Sequence, residues 1–273
     1  MTLTIGTGPF GDRPAGRFNF DPGAPRRVLY LEDRPGRIRV EFVGETVVDT
    51  IRAKMLHESG LTPVYYFPRA DVRTDLLAVS DRTTHCPAKG DARYWDISVG
   101  DRVAEDAVWS YPDPIDPAAG LAGHLAFVWD AVDAWYHEDE RIHVHPIDPY
   151  HRVDVRRSSR RVVVRVGDVV VAESRRPLLL FETGLPIRYY LPPEDVRRDV
   201  LVPSATVTHC PYKGEATYHH VDVGGERHED VVWSYRAPLH DAAPVAGHLS
   251  FFNERVDLEV DGEPQGRPRT RWS

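Results

Sequence analysis

The chain contains one stretch of sequence twice. Residues 84–90 read Thr-His-Cys-Pro-Ala-Lys-Gly, and residues 208–214, at an offset of 124, read Thr-His-Cys-Pro-Tyr-Lys-Gly. At the same offset Trp-Ser-Tyr recurs at 109–111 and 233–235, and Gly-His-Leu recurs at 123–125 and 247–249. Self-similarity at a fixed offset indicates a repeated structural unit. The sequence therefore predicts two tandem copies of one domain.

The length of the chain agrees with two domains. It has 273 residues, and a typical domain holds about 100–200. The N-terminal and C-terminal segments are rich in Gly, Pro and Arg and lack hydrophobic periodicity, which favours loosely held chain. We predict an extended N-terminal arm at 1–27, a first repeat domain at 28–137, a linker at 138–151, a second repeat domain at 152–262 and a tail at 263–273.

The net charge and the positions of the cysteines indicate which binding partners and which cellular compartment to expect. The formal net charge of −8 disfavours a nucleic-acid partner, because phosphate binding needs a basic face. No apolar run approaches the ~20 residues of a membrane helix, and residues 1–20 do not resemble a secretory signal. Cys86 and Cys210 occupy the same position in the two copies, which suggests free thiols in a reducing compartment. We expect a cytoplasmic protein without nucleic-acid or membrane partners; the sequence leaves its oligomeric state open.

Short alternating segments predict a mainly β fold, α+β at most. The run 162–164 consists of three valines, and branched side chains suit a pleated sheet. In the segment 116–127, Ala118, Leu121, Ala122 and Leu125 recur at spacings of three and four, which indicates a short helix. We predict two pseudo-symmetric antiparallel β domains, each an open sheet or partial barrel with one or two short helices.

Aromatic and polar residues kept in both copies indicate where a site would lie. Strand alternation separates Tyr66 and Tyr94 from the apolar faces of their strands, and these rings could wall a pocket with Cys86 at its rim. The predicted ligand-binding residues are Tyr66, Tyr94, His85, Lys89, Trp109 and Tyr111 in the first copy and Tyr190, Tyr218, His209, Lys213, Trp233 and Tyr235 in the second. We hypothesise that each domain binds a small polar or aromatic molecule there. The alternative is that these rings form the core, since aromatic residues dominate small β cores.

The sequence leaves two other functional classes open: an enzyme, and a scaffold that binds no ligand. Cys86 could be a thiolate nucleophile with His85 or Lys89 supplying positive charge, and Glu58 could perform acid–base chemistry. However, residues adjacent in sequence usually point apart, and a buried, inert cysteine is the commoner case. The chain lacks the paired ligands of a structural zinc site, so we predict no metal. It also lacks a P-loop and a dinucleotide-binding glycine motif, and no cofactor is identified.

The two copies differ at several large side chains. Trp95 of the first copy is replaced by a histidine in the second, Asp113 by an alanine, Trp129 by an asparagine and Trp135 by a glutamate. The two copies therefore need not bind the same ligand.

Several motifs at consistent spacing resemble the family catalogued as domain of unknown function 427. They are Glu58-Ser59-Gly60-Leu61, Tyr65-Tyr66-Phe67-Pro68, Asp71-Val72-Arg73, the seven residues 84–90, Ala107-Val108-Trp109-Ser110-Tyr111-Pro112 and Val132-Asp133-Ala134-Trp135-Tyr136. The resemblance covers both copies, from about residue 28 to 260. It implies a small, mostly antiparallel and tent-like β domain, related to domains that bind small polar ligands in an aromatic cage, with no established activity. A nucleotidyltransferase-like name attached to the family finds no support here, because the Gly-Ser followed by paired strand carboxylates is absent.

Overall fold

The computed structural model describes residues 3–19, 27–270 and 273, which divide into two compact units. The first unit is Met1–Tyr150 and the second is His151–Ser273. Strands make up 51% of the structure and helical segments 10%. Within the described ranges all strand pairs are antiparallel, and no sheet closes into a barrel. The prediction of two pseudo-symmetric, mainly β domains is confirmed.

The first unit contains a seven-stranded and a four-stranded sheet. The larger sheet has the strand order β1-β4-β5-β9-β8-β7-β6 and the smaller one the order β11-β10-β2-β3. The strands are β1 (Leu29–Asp33), β2 (Ile38–Phe42), β3 (Glu45–Thr50), β4 (Lys54–Glu58), β5 (Val64–Pro68), β6 (Leu77–Cys86), β7 (Gly90–Val99), β8 (Arg102–Ser110), β9 (His124–Phe127), β10 (Ala134–His137) and β11 (Glu140–Ile142).

The second unit repeats this topology. Its sheets have the orders β12-β15-β16-β20-β19-β18-β17 and β14-β13-β21-β22. The strands are β12 (Val153–Arg157), β13 (Val162–Val166), β14 (Val169–Ser174), β15 (Leu178–Glu182), β16 (Arg188–Leu191), β17 (Leu201–Cys210), β18 (Gly214–Val223), β19 (Glu226–Tyr235), β20 (Leu249–Phe251), β21 (Asp257–Val260) and β22 (Glu263–Gln265).

Each unit has two hydrophobic cores, because successive side chains in the strands of the large sheet point to opposite faces. In β5, Tyr65 and Phe67 join side chains of both sheets in the main core, while Tyr66 between them lies on the opposite face. There Tyr66 packs with Tyr111 and Leu121 in a second, smaller core. This second face of the large sheet, called the outer face below, carries most of the predicted site.

In the residues that the structure describes, helical structure consists of short 3₁₀ turns. They span Arg69–Asp71, Thr74–Leu76, Asp116–Leu121, Trp129–Ala131, Pro193–Asp195, Arg198–Val200 and His240–Val245. The predicted helix over 116–127 is wrong in its second half, where β9 lies instead. Gly123 has a φ of +72°, a left-handed conformation that ends a helix. Both faces of β9 are covered, so Leu125 and Ala126 are both buried and the segment does not alternate.

Some strands fall in segments that we expected to be irregular. β11 lies within the predicted linker and pairs with β10, and β22 lies within the predicted tail and pairs with β21. Within the arm, the Thr4 hydroxyl donates to the Glu58 carbonyl at 3.0 Å. Residues 1–2 and 20–26 of the arm and 271–272 of the tail lie outside the described residues. None of the helical segments in the described ranges has the length and hydrophobicity that a membrane span requires.

Candidate functional site

A buried ion pair lies beside the outer face of the first unit. Glu58 ends β4, and Lys89 lies in the turn between β6 and β7, where its N–H donates to the Cys86 carbonyl at 3.1 Å. The Lys89 ammonium donates to one carboxylate oxygen of Glu58, and Arg27 Nη1 donates to the other at 3.1 Å. The side chains of Glu58 and Lys89 are only 5% and 10% exposed. Because an unpaired buried charge is costly, this contact holds the turn against β4.

The second unit keeps this ion pair but changes its third member. Lys213 donates to Glu182, and the His151 ring Nε2 donates to the other carboxylate oxygen at 3.0 Å. His151 occupies the position of Arg27 at the offset of 124, and its ring stacks on Tyr212 at 3.8 Å. Burial alone raises the pKa of Glu182, but the hydrogen bond from His151 and the charge of Lys213 outweigh it and hold that pKa at about 2.

Three of the predicted aromatic residues of the first copy surround this ion pair and the buried part of the outer face. Tyr66 and Tyr111 are 1% and 7% exposed, and burial raises the pKa of both. The Lys89 ammonium is 5.5 Å from the centre of the Tyr111 ring, and Trp109 meets Tyr66 edge to face at 6.4 Å. In the second copy Trp233 Nε1 donates to the Tyr190 hydroxyl at 3.0 Å. The structure thus places Tyr66 and Tyr111 in a packed core with a charged group at its edge.

Tyr94 and Trp109 form a more open part of the outer face, which we call the aromatic shelf. They are cross-strand partners on β7 and β8, and both are partly exposed. The Tyr94 hydroxyl lies 3.0 Å from the Thr84 hydroxyl, and the Arg82 guanidinium lies 4.7 Å from the centre of the Tyr94 ring. The shelf therefore offers two adjacent rings with a cation at one side.

The histidines of the repeated motif face away from this region. His85 Nδ1 lies 2.6 Å from Asp91 Oδ1, and the His85 side chain is 67% exposed. Cys86 packs against the second core with its sulfur 3.9 Å from Arg27 Nη1. Successive residues of a strand point to opposite faces, so the structure does not bring His85 to the Cys86 sulfur. His209 in the second copy is likewise directed to a surface carboxylate, with Nε2 3.4 Å from Glu215.

The second copy covers Trp233, the equivalent of Trp109, with its own side chains, while Tyr218 stays partly exposed. We call Arg188, Phe252 and Glu254 the plug. Phe252 lies 4.5 Å from Trp233 and 6.5 Å from Tyr218 between ring centres. Trp233 is consequently only 6% exposed, whereas Trp109 is partly exposed.

Sequence reasoning missed the plug and the third member of each ion pair. The signal for the plug was present in the comparison of the two copies, because valines and an aspartate occupy positions 64, 128 and 130 of the first copy. The pairing of Glu58 with Lys89 could not be read in this way. It joins residues 31 apart that only the topology of the sheet brings together.

The fold and the site define a class: a tandem protein of open antiparallel β domains, each with a buried Lys–Glu pair beside an aromatic outer face. The family model described as Domain of unknown function (DUF427) matches residues 30–138 and 154–262. These ranges cover more than half of the chain, which therefore belongs to that family as a two-copy member. No curated protein sequence matches the chain.

Proposed function

We propose that the protein binds a small molecule on the outer face of the first repeat, at the aromatic shelf. The observation that carries this proposal is the partial exposure of Trp109 beside the partly exposed Tyr94, whereas the equivalent Trp233 is only 6% exposed. Large aromatic side chains with a polar edge are typical of ligand contacts. A purely structural role would favour the closed arrangement that the second repeat shows.

Three other predicted residues of the first repeat pack beneath the aromatic shelf or beside it. Tyr66 and Tyr111 form its buried base, and Lys89 fixes the β6–β7 turn through Glu58. A binding surface whose supporting side chains are already packed loses little conformational entropy when the ligand binds. Glu58 therefore acts as a positioning residue in this proposal.

Cysteine usage supports a cytoplasmic location for this binding protein. Cys86 and Cys210 are both free thiols, and unpaired cysteines in both repeats fit a reducing compartment.

Thermal unfolding against a library of nucleotides, cofactors and metabolites tests the proposal. A ligand in hundredfold excess over its Kd stabilises the folded protein by about 2.7 kcal/mol. We expect hits with the wild type and with Trp233→Ala, and their loss with Trp109→Ala. Trp233→Ala is a matched control, because it removes the same residue from the closed repeat.

A screen without hits, in which both variants are only less stable, would contradict binding. It would favour a scaffold whose aromatic residues serve packing alone.

A further inference from the structure

The plug of the second repeat combines an aromatic ring, a cation and a carboxylate. The Arg188 guanidinium donates two hydrogen bonds of 2.7 Å to the two carboxylate oxygens of Glu254. Its central carbon lies 5.5 Å from the centre of the Trp233 ring and 5.9 Å from that of Phe252. Both charged side chains are buried, at 5% and 0% exposure. The ring and the cation therefore cover Trp233, and the carboxylate holds the cation in place.

The first repeat lacks the ring and the cation of the plug but keeps a carboxylate. Val64 and Val128 occupy the positions of Arg188 and Phe252, and Asp130 occupies the position of Glu254. The backbone is held in the same way in both repeats: the Val128 N–H donates to the Ala107 carbonyl at 2.8 Å, and the Phe252 N–H donates to the Val231 carbonyl at 3.0 Å.

These substitutions leave the first repeat open where the second is filled. Val128 is 40% exposed, compared with 8% for Phe252, and Asp130 is exposed. The difference between the repeats is therefore one of side chains. The first repeat lacks the aromatic ring and the positive charge that Phe252 and Arg188 place beside Trp233; the cation of its shelf, Arg82, lies over the Tyr94 ring instead.

We infer that the ligand of the first repeat is a planar aromatic molecule that carries a guanidinium or another cationic group. This inference rests on the proposed binding function of the shelf and names its ligand class. The ring packs against Trp109 and Tyr94, as Phe252 packs against the equivalent residues, tilted by 47° to Trp233 and nearly parallel to Tyr218. The cation lies against the Trp109 ring and pairs with Asp130, because ring faces and carboxylates both attract cations.

Isothermal titration with matched probes tests the ligand class. Benzylguanidine carries both features, benzylurea is its neutral analogue of similar shape, and phenylacetate carries the opposite charge. We expect benzylguanidine to bind the wild-type chain at one site, about tenfold more tightly than benzylurea. Phenylacetate should bind more weakly than both. Asp130→Asn should reduce the affinity for benzylguanidine towards that for benzylurea, the contact of the cation with the Trp109 ring remaining, and should leave benzylurea binding unchanged.

Exchange of the plug between the repeats tests the location. Val64→Arg/Val128→Phe/Asp130→Glu builds the plug into the first repeat, and we expect it to remain folded and to lose benzylguanidine binding. Circular dichroism checks its folding. The reciprocal variant, Arg188→Val/Phe252→Val/Glu254→Asp, should bind a second equivalent of benzylguanidine.

Failure of this inference can be distinguished from failure of the proposed function. Equal affinity for benzylguanidine and benzylurea, or binding that survives when the plug is built into a folded first repeat, would overturn the inference. If only neutral or anionic aromatic compounds bind in a Trp109-dependent way, the ligand class is wrong and the proposed function stands. If no compound in the library binds in a Trp109-dependent way, both fail.

Discussion

The buried carboxylate of Glu182 makes a specific contribution to stability at neutral pH. Its pKa is about 2 in the folded protein, against an ordinary value of 4.5. One pKa unit corresponds to about 1.36 kcal/mol, so this shift is worth about 3 kcal/mol. Because the folded-state pKa is depressed, the stabilisation is complete above pH 4.5 and is lost as the pH falls towards 2.

Glu182→Gln removes this carboxylate and keeps the shape of the side chain. At neutral pH the variant should be clearly less stable than the wild type, because Lys213 loses its buried counter-charge. Between about pH 5 and pH 2 the difference in the free energy of unfolding should narrow by about 3 kcal/mol, since protonated Glu182 resembles the amide.

Urea unfolding of both proteins over this pH range measures the difference. Glu226→Gln in the same unit is the control: Glu226 is exposed, so its stability should stay within about 0.5 kcal/mol of the wild type at every pH. A Glu182→Gln difference that does not change with pH would refute the assignment of the stabilisation to this ion pair.

Two further predictions concern the β6–β7 turn, and urea unfolding measures both. Lys89→Met leaves Glu58 buried with only the half-exposed Arg27 as a partner, and it should lower the free energy of unfolding by about 3 kcal/mol. Lys89→Met/Glu58→Leu should lower it by less than half of that. A double variant as unstable as the single one would contradict this. Gly90→Ala places a Cβ at a φ of +98°, 3.3 Å from a backbone carbonyl oxygen. It should lose at least about 1 kcal/mol more stability than Gly100→Ala, because the φ of Gly100 is +56° and its added Cβ would meet open space. Equal losses would show that the close approach is unimportant.

Much of the fold could be predicted from the sequence, because internal repetition and side-chain alternation can be read directly from the order of the residues. The offset of 124 defines two domains, and strand alternation correctly places Tyr66 on the face opposite Tyr65 and Phe67. The segment 116–127 was misjudged because β9 is covered on both faces. Apolar residues therefore follow one another in this segment, and some of them fall at helical spacing. The pattern alone does not distinguish a helix from a strand that is buried on both faces.

The candidate site was predictable only in part, because its geometry depends on contacts between distant strands. The motif residues His85 and Cys86 looked like one constellation, yet alternation along β6 directs them to opposite faces. Glu58 and Lys89 were named separately, but their pairing requires β4 to lie beside the β6–β7 turn. Such contacts follow from topology, which a single sequence does not specify.

The buried Arg188–Glu254 pair also affects how two similar domains fold on one chain. Tandem repeats are prone to exchange equivalent strands during folding. If β5 of the first repeat replaced β16 beside β20, Val64 would stand where Arg188 belongs, and Glu254 would be buried without its guanidinium. An uncompensated buried charge costs about 3–5 kcal/mol, so the mispaired domain is penalised relative to the correct one. We therefore expect the divergence that fills the second repeat to disfavour this exchange as well.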